Sequence, residues 1–236
     1  MIKKIYRKIL NINYKWHAKR NPLTLDGNVD LADNEMSLIE SKLVSRGDFI
    51  DTVYSMFHSI EFKLIPKSVL GVISRNWSEI ERALGAEGVL RSCNVYRNIH
   101  IPKNKRKKEF LSEAWHQDTI GITNVQMFIL LHDTDIKNGA FRYIKSKDIK
   151  KVENKYPDLK NPRNRSIKLN IDEEHVSYFV GSRGDFLFVS TYRNYHSATI
   201  PEFGFKRDMI SIAFEPKRLT SWKNVLCRED VEKMII

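Results

Sequence analysis

Cysteine is scarce in this chain of 236 residues, which contains only Cys93 and Cys227 and no C-x-x-C spacing. This argues against a disulfide framework and against a zinc site built from thiolates. No run of about eighteen apolar residues occurs, so the sequence predicts no membrane span. Residues 1–20 carry Lys and Arg throughout and lack the apolar core of a signal peptide, so we expect a cytoplasmic protein.

The composition is that of a globular protein, with 42% hydrophobic and 11% aromatic residues. A chain of this length can form one domain with a sizeable core. Its formal net charge of +11 predicts attraction to an anionic partner. Charge alone leaves nucleic acid, anionic lipid headgroups and acidic or phosphorylated substrates open.

We expect one domain over residues 1–236, in which residues 1–88 form a helical support region. The chain begins with a predicted basic amphipathic helix, because apolar residues recur at helical spacing opposite lysines and arginines. This helix could lie on an anionic membrane surface or pack its apolar stripe on the domain. Residues 21–34 predict a loop. Further helices are predicted over 34–57, as one helix or two, and over 68–84.

Short runs of β-branched and aromatic residues, separated by turn residues, predict strands in the second part of the chain. The predicted strands are 89–101, 125–131, 140–144, 176–180, 185–190, 196–200 and 208–214. A polar insert is expected over 146–170, and a C-terminal tail over 217–236. Helices followed by seven or eight short strands predict a mainly β fold, an antiparallel barrel or jelly roll over 89–216 with helices on one side.

The sequence Trp115-His116-Gln117-Asp118 is the first candidate for a functional site. Side chains alternate along a strand, so His116 and Asp118 point to the same face and can reach one metal ion. A second histidine would complete the two-His, one-carboxylate set that leaves positions open on Fe(II). Taken alone, the pair could equally lie on a half-buried strand with hydrogen-bond partners of its own.

His196 and Arg207 are separated by eleven positions. In a jelly roll they would lie on adjacent strands, with the arginine deeper in the barrel than the histidine. A guanidinium there can grip a carboxylate through two charge-assisted hydrogen bonds. A dicarboxylate such as 2-oxoglutarate could chelate iron at its keto-acid end and be anchored by Arg207 at the other.

Five runs of the sequence resemble the phytanoyl-CoA dioxygenase family of Fe(II)/2-oxoglutarate oxygenases, in the same order and at similar separations. They are Trp-His-Gln-Asp at 115–118, Asn-Gly-Ala-Phe-Arg-Tyr-Ile at 138–144, Gly-Asp-Phe-Leu-Phe at 184–188, Tyr-His-Ser-Ala at 195–198, and Arg207. The resemblance covers about residues 90–216. It implies a double-stranded β-helix flanked by the N-terminal helices, with His116, Asp118 and His196 as catalytic iron ligands. Arg207 would then anchor 2-oxoglutarate.

The resemblance also implies a reaction in which Fe(II), 2-oxoglutarate and O2 yield succinate and carbon dioxide and oxidise a C–H bond. Asp118 fills the position that a halide would need, which favours hydroxylation over halogenation. Further cofactor-binding candidates lie on predicted barrel strands, where a structural role is an equal alternative. These candidates are Asn94, Tyr96, Gln126 and Ser211.

The substrate does not follow from the family, because Lys145-Ser146-Lys147-Asp148 stands where many relatives have Pro-Gly-Ser-His. Candidate substrate contacts are Lys103, Lys105, Arg106, Lys107, Lys108 and Trp115. The five cations could recognise an anionic substrate or membrane, or could form a solvated loop.

Three hypotheses follow. The first is a hydroxylase, peripheral at the inner face of the membrane, for an anionic substrate such as the inner-core sugar acid (Kdo) of lipopolysaccharide. The second is a hydroxylase of a soluble amino acid or acyl thioester. The third is a non-catalytic basic barrel that binds nucleic acid, which is less favoured because the basic runs lack interleaved aromatics.

Overall fold

The computed structural model describes residues 23–40, 43, 58–59, 61–103, 114–118, 124–160 and 169–236. The predicted basic helix at the start of the chain lies outside these residues, as do most of the second predicted helix and the cations at 105–108. Within the described ranges, no helix is long and apolar enough to cross a bilayer.

The described part of the chain contains five α-helices, four short 3-10 helices and nine strands. The helices are α1 (Asp33–Glu40), α2 (Lys67–Arg75), α3 (Trp77–Leu84), α4 (Ile149–Lys155) and α5 (Arg228–Ile235). The strands are β1 (Thr24–Asn28), β2 (His58–Ser59), β3 (Gly88–Ile99), β4 (Val125–Leu130), β5 (Phe141–Tyr143), β6 (Ser177–Phe179), β7 (Asp185–Val189), β8 (His196–Ala198) and β9 (Lys206–Pro216).

The strands form two antiparallel sheets. The large sheet has the order β1-β7-β4-β9-β3-β2, and the small sheet has the order β6-β5-β8. Apolar side chains from both sheets meet in one cluster, in which the rings of Phe128 and Phe141 lie 4.7 Å apart between centroids. The two sheets therefore pack face to face, which confirms the predicted double-stranded β-helix with flanking helices.

The outer face of the large sheet carries the main core. On β9, Ile210, Ile212 and Phe214 point outward, and the ring of Phe214 meets Trp77 of α3 edge-on at 6.0 Å. Residues 68–84 do not form the single predicted helix. The break falls at Asn76, whose side-chain Nδ2 donates to the carbonyl of Val72 (2.8 Å) and so competes with the helix.

Strand β1 lies inside the stretch that the sequence predicts as a loop. Its residues include Asp26, Gly27 and Asn28, which favour turns, but all five pair with β7 in register. Gly27 lies against the ring of Phe186, and a Cβ at this position would come within 2.7 Å of it. Pairing with β7 therefore overrides the local turn preference.

An ion pair on the outer face joins β3 and β9. Arg97 donates from Nε and Nη2 to the two carboxylate oxygens of buried Asp208 (2.8 Å each). Burial alone would raise the pKa of Asp208, but the hydrogen bonds from Arg97 and Lys206 hold it below its usual value. A carboxyl group with a depressed pKa stabilises the fold above its unfolded pKa and loses that effect as the pH falls through the folded pKa.

We therefore expect Asp208→Asn to lower the free energy of unfolding by about 1.5–3 kcal/mol at pH 7. The difference from the unchanged protein should shrink once the pH falls below about 4 and should vanish in stronger acid. Urea unfolding of both proteins between pH 7 and pH 3 measures this difference. A difference that does not change with pH would contradict the role assigned to the carboxylate.

Candidate metal centre

Two histidines face each other across a short antiparallel bridge. The His116 N–H donates to the carbonyl of His196 (3.0 Å), and the His196 N–H donates to the carbonyl of His116 (2.9 Å). The bridge adds the segment at 115–116 to the small sheet beside β8. Because directly paired residues share a face, the two imidazole rings lie 4.2 Å apart between centroids.

The backbone fixes the tautomer of both rings. Nδ1 of His116 lies 2.8 Å from the carbonyl of Ala114, and Nδ1 of His196 lies 3.0 Å from the carbonyl of Asn194. A carbonyl oxygen only accepts hydrogen bonds, so each Nδ1 carries the proton. The lone pair of each neutral ring is then on Nε2, as in histidines that bind metals.

Asp118 completes the group. Its N–H donates to the carbonyl of Thr191 (3.0 Å), which attaches this segment to the residues that precede β8. One carboxylate oxygen, Oδ1, lies 3.6 Å from Nε2 of His196. The other, Oδ2, accepts from Gln126 Nε2 (3.1 Å) and from Asn124 Nδ2 (3.4 Å).

The three side chains influence one another's pKa. Burial is the main cause that lowers the pKa of His116 to about 4, and the neighbouring His196 lowers it further. Burial also disfavours charge on Asp118 and His196, but their mutual attraction outweighs it. The pKa of Asp118 is therefore below its usual range, and that of His196 is raised. An ionised carboxylate and a neutral His116 are the forms that bind a metal ion.

This arrangement fits a divalent transition-metal ion. Ligand atoms of His116, Asp118 and His196 all lie within 4.8 Å of one another. Two imidazole nitrogens and one carboxylate oxygen are the donor set of the facial triad that serves non-haem Fe(II). The structure therefore brings together the three predicted ligands, and each of them is oriented by a backbone or side-chain hydrogen bond.

The predicted cofactor-binding residues share the inner face of the large sheet. Asn94 pairs with Ser211, and Tyr96 pairs with Met209, across β3 and β9. Met209 and Tyr96 belong to the apolar cluster between the sheets. Asn94 and Ser211, two residues away on the same strands, therefore also face the inner side of the large sheet. Arg207 lies two residues before Met209 and points the same way. Whether these residues contact 2-oxoglutarate stays a prediction.

Gln126 and Ser211 have partners that the sequence did not indicate. The Ser211 hydroxyl donates to Gln126 Oε1 (3.3 Å), which leaves the amide nitrogen of Gln126 directed at Asp118. The chain from Ser211 through Gln126 thus holds Oδ2 of Asp118 and leaves Oδ1 to face His196. Together with Asn124, these residues orient the carboxylate of Asp118.

Gln126→Leu should therefore weaken the binding of Fe(II), or of Co(II) as a substitute, about 10- to 100-fold, as is typical for partners that orient a metal ligand. Ser211→Ala should have a smaller effect, because Gln126 keeps its bond to Asp118. Calorimetric titration with Co(II) under anaerobic conditions measures both. Equal affinity in Gln126→Leu and the unchanged protein would show that Asp118 needs no such support.

Arg207 is buried at the start of β9. Its Nη1 donates to the carbonyl of Gly139. Asn98, with its amide oxygen turned toward the guanidinium, accepts from Nε (3.2 Å) and Nη2 (2.6 Å). Gly139 has φ 79°, and a Cβ there would come within 2.6 Å of Pro201, so this close approach of two backbone segments requires glycine.

Trp115 lies on the opposite face of its strand from His116. It packs into a third cluster, under α4, and the guanidinium of Arg142 lies over its ring at 5.1 Å. Arg142 Nε also donates to the hydroxyl of Ser197 (3.0 Å). The guanidinium of Arg142 therefore contacts the neighbours in sequence of both His116 and His196, from behind the small sheet.

The sequence did not single out Arg142, Asn98, Asn124 or Thr191. Asn98 follows Tyr96 by two positions on β3, so strand alternation could have placed it on the inner face. Of the predicted substrate cations, Lys103 is exposed, and the other four lie outside the described residues. The structure does not bring Trp115 to the metal ligands, and its predicted contact with substrate stays a prediction.

Solved structures share this fold over most of the chain. The apo structure of ThoJ, described as a non-heme monooxygenase, is 14% identical with a TM-score of 0.52, and the match covers 91% of this chain and 83% of that one. SnoN, described as a non-heme alpha ketoglutarate dependent epimerase from nogalamycin biosynthesis, is 13% identical with a TM-score of 0.50, with 89% and 84% covered. Another SnoN structure contains Fe3+ and alpha ketoglutarate.

At this level of identity, the likeness shows the fold alone, a double-stranded β-helix that is also found in non-haem iron enzymes. The sequence matches no protein-family model and no curated protein. The resemblance to the phytanoyl-CoA dioxygenase family in particular therefore stays a prediction.

Proposed function

We propose that this protein is an Fe(II)/2-oxoglutarate-dependent oxygenase that hydroxylates a C–H bond of an anionic substrate. The observation that carries this proposal is the convergence of His116, Asp118 and His196, whose ligand atoms all lie within 4.8 Å of one another. Fe(II) and 2-oxoglutarate, when bound, supply the activation of O2 that the side chains cannot perform themselves.

The residues of the chain bind and orient. His116 and His196 present Nε2, because each Nδ1 donates to a backbone carbonyl. Asp118 presents Oδ1, because Gln126 and Asn124 hold Oδ2. Three protein ligands leave coordination positions open for the keto acid and O2.

Arg207 is the proposed anchor for the far carboxylate of 2-oxoglutarate. It is buried on the inner face, where a guanidinium in low dielectric binds a carboxylate more strongly than it would in water. Gly139 and Asn98 keep the guanidinium plane fixed, so little side-chain entropy is lost on binding. Asn94 and Tyr96 share this inner face and are proposed to contact 2-oxoglutarate as well.

The substrate is proposed to be anionic, on the basis of the net charge of +11 and the five cations between residues 103 and 108. A sugar acid presented at an anionic membrane is one candidate, and a soluble acid such as an amino acid or acyl thioester is another. One of the solved structures with a similar fold is described as an epimerase. Epimerisation at a C–H centre is therefore the alternative reaction, and product analysis has to distinguish it from hydroxylation.

Succinate release from 2-oxoglutarate tests the activity directly. The protein with Fe(II), ascorbate and O2 should release succinate, faster with the true substrate than without any. A panel of soluble acids, and vesicles that contain acidic glycolipids, separates the two substrate proposals, and the mass of the product separates hydroxylation (a gain of one oxygen) from epimerisation. No succinate under any of these conditions would overturn the proposal.

The membrane part of the proposal has its own test. The full chain should sediment with anionic vesicles and not with neutral ones, and deletion of residues 1–20 should reduce this sedimentation. Equal sedimentation of both proteins would remove the N-terminal segment as a membrane anchor, while the oxygenase proposal would be unaffected.

A further inference from the structure

A second group of metal-ligating side chains lies away from the candidate metal centre, at the short 3-10 turn Glu173–His175 and the preceding residue, Asp172. Ligand atoms of Asp172, Glu174 and His175 all lie within 4.8 Å of one another. Asp172 is the extended residue directly before this turn, and its carboxylate lies close to the ligand atoms of Glu174 and His175. The His175 N–H donates to the carbonyl of Asp172 (2.9 Å) and closes this turn.

His175 is the unusual member of the group. Its side chain is only 3% exposed, and Nε2 is buried without a hydrogen bond, although Glu174 Oε1 lies 3.3 Å away. A buried polar atom that makes no hydrogen bond destabilises the fold, so a ligand that satisfies it would be favoured. In a tetrahedral zinc site with bonds of about 2.0–2.1 Å, two ligand atoms lie about 3.3–3.4 Å from each other. The distance of 3.3 Å between His175 Nε2 and Glu174 Oε1 is close to this value.

The charge around His175 favours a cation. Asp172, Glu173 and Glu174 are consecutive carboxylates in a chain whose net charge is +11. Lys155 of α4 forms an ion pair with Asp172, in which the two side chains are 49% and 44% exposed. An ion pair this exposed contributes little, and the flexible lysine can move aside when a metal ion binds Asp172.

We propose that Asp172, Glu174 and His175 form a second binding site for a divalent transition-metal ion, with Zn2+ as the best match to one imidazole and two carboxylate donors. Ca2+ and Mg2+ are disfavoured, because they prefer oxygen ligands throughout. The turn precedes β6, and Ile171 packs in the same cluster as Trp115. A metal ion here would stabilise the layer behind the small sheet.

The test uses the full chain with both candidate histidine ligands of the first centre replaced, His116→Ala and His196→Ala. Titration with Zn2+ against a chromophoric chelator should then give one equivalent bound. Adding His175→Ala, or Glu174→Gln at an exposed position that tolerates change, should weaken binding at least tenfold. Adding Lys155→Ala should tighten it severalfold, since the competing ammonium is gone. Glu202→Gln, an exposed acid elsewhere, is the matched control and should change nothing.

No Zn2+ bound in the background protein, or binding that neither His175→Ala nor Glu174→Gln weakens, would overturn this second site. Because the first centre is already removed in these proteins, the result does not depend on the proposed oxygenase activity. Conversely, absence of succinate release by the unchanged protein would leave the zinc titration as it stands.

Discussion

His196→Ala is expected to abolish Fe(II) binding and, with it, succinate formation. The substitution removes an Nε2 atom that the Asn194 carbonyl orients, on a side chain that is 8% exposed. It also leaves Asp118 without the imidazole that lies 3.6 Å from its Oδ1. Since loss of an orienting partner alone typically costs 10- to 100-fold in metal affinity, we expect loss of a ligand to cost more than about a hundredfold.

Anaerobic titration with Fe(II) measures this loss. His116→Ala should behave in the same way, because His116 also presents Nε2 to the group of three. His100→Ala is the matched control, since His100 hydrogen-bonds the carbonyl of Pro201 and lies outside the group of three. Fe(II) binding of His196→Ala at the affinity of the unchanged protein would contradict the assignment of the ligands.

Arg207→Met is expected to raise the concentration of 2-oxoglutarate needed for half-saturation, while Fe(II) binding stays unchanged. Truncating one partner of a buried, hydrogen-bonded charge pair costs about 2–5 kcal/mol, which corresponds to roughly 30- to several thousandfold in affinity. The rate at saturating 2-oxoglutarate should fall much less than the apparent affinity, because the proposed anchor holds the carboxylate that lies away from the reacting carbon. Arg207→Lys should keep part of the affinity that Arg207→Met loses, because lysine is also a cation but lacks the planar guanidinium.

Arg97 offers a matched control on the neighbouring strand. It lies beside Asn98 in sequence but on the outer face, where it pairs with Asp208. Arg97→Met should lower the stability and leave the dependence on 2-oxoglutarate unchanged. If both arginine variants altered this dependence equally, the effect would come from general destabilisation, and Arg207 would not be the anchor.

Strand alternation is the part of the site that the sequence predicts well. The spacing of His116 and Asp118 predicted that both point to one face, and their ligand atoms converge with that of His196. Such predictions succeed because a two-residue period is a local property of the chain. The strands β3 to β9 were predicted from short runs of β-branched and aromatic residues, which are also a local property of the chain.

Contacts between distant strands were not predictable from local patterns. The sequence suggests Gln126 and Ser211 as cofactor-binding residues, and that role stays a prediction. The contacts of Ser211 with Gln126 and of Gln126 with Asp118 depend on the register of β4 against β9, which no local pattern shows. Arg142 contacts Trp115 and Ser197 only because three segments adjoin in the small sheet. Strand β1 was missed because its pairing with β7 spans most of the chain.

The most direct test of the central claim is an anaerobic titration of metal-free protein with Fe(II) and then 2-oxoglutarate, followed by visible absorption. The account predicts the weak charge-transfer band of a chelated keto acid in the unchanged protein and no band in His196→Ala. In Arg207→Met, the band should appear only at a much higher concentration of 2-oxoglutarate. Folded protein that binds Fe(II) and gives no band at any concentration of 2-oxoglutarate would contradict the proposed co-substrate, and protein that binds no Fe(II) would contradict the metal centre itself.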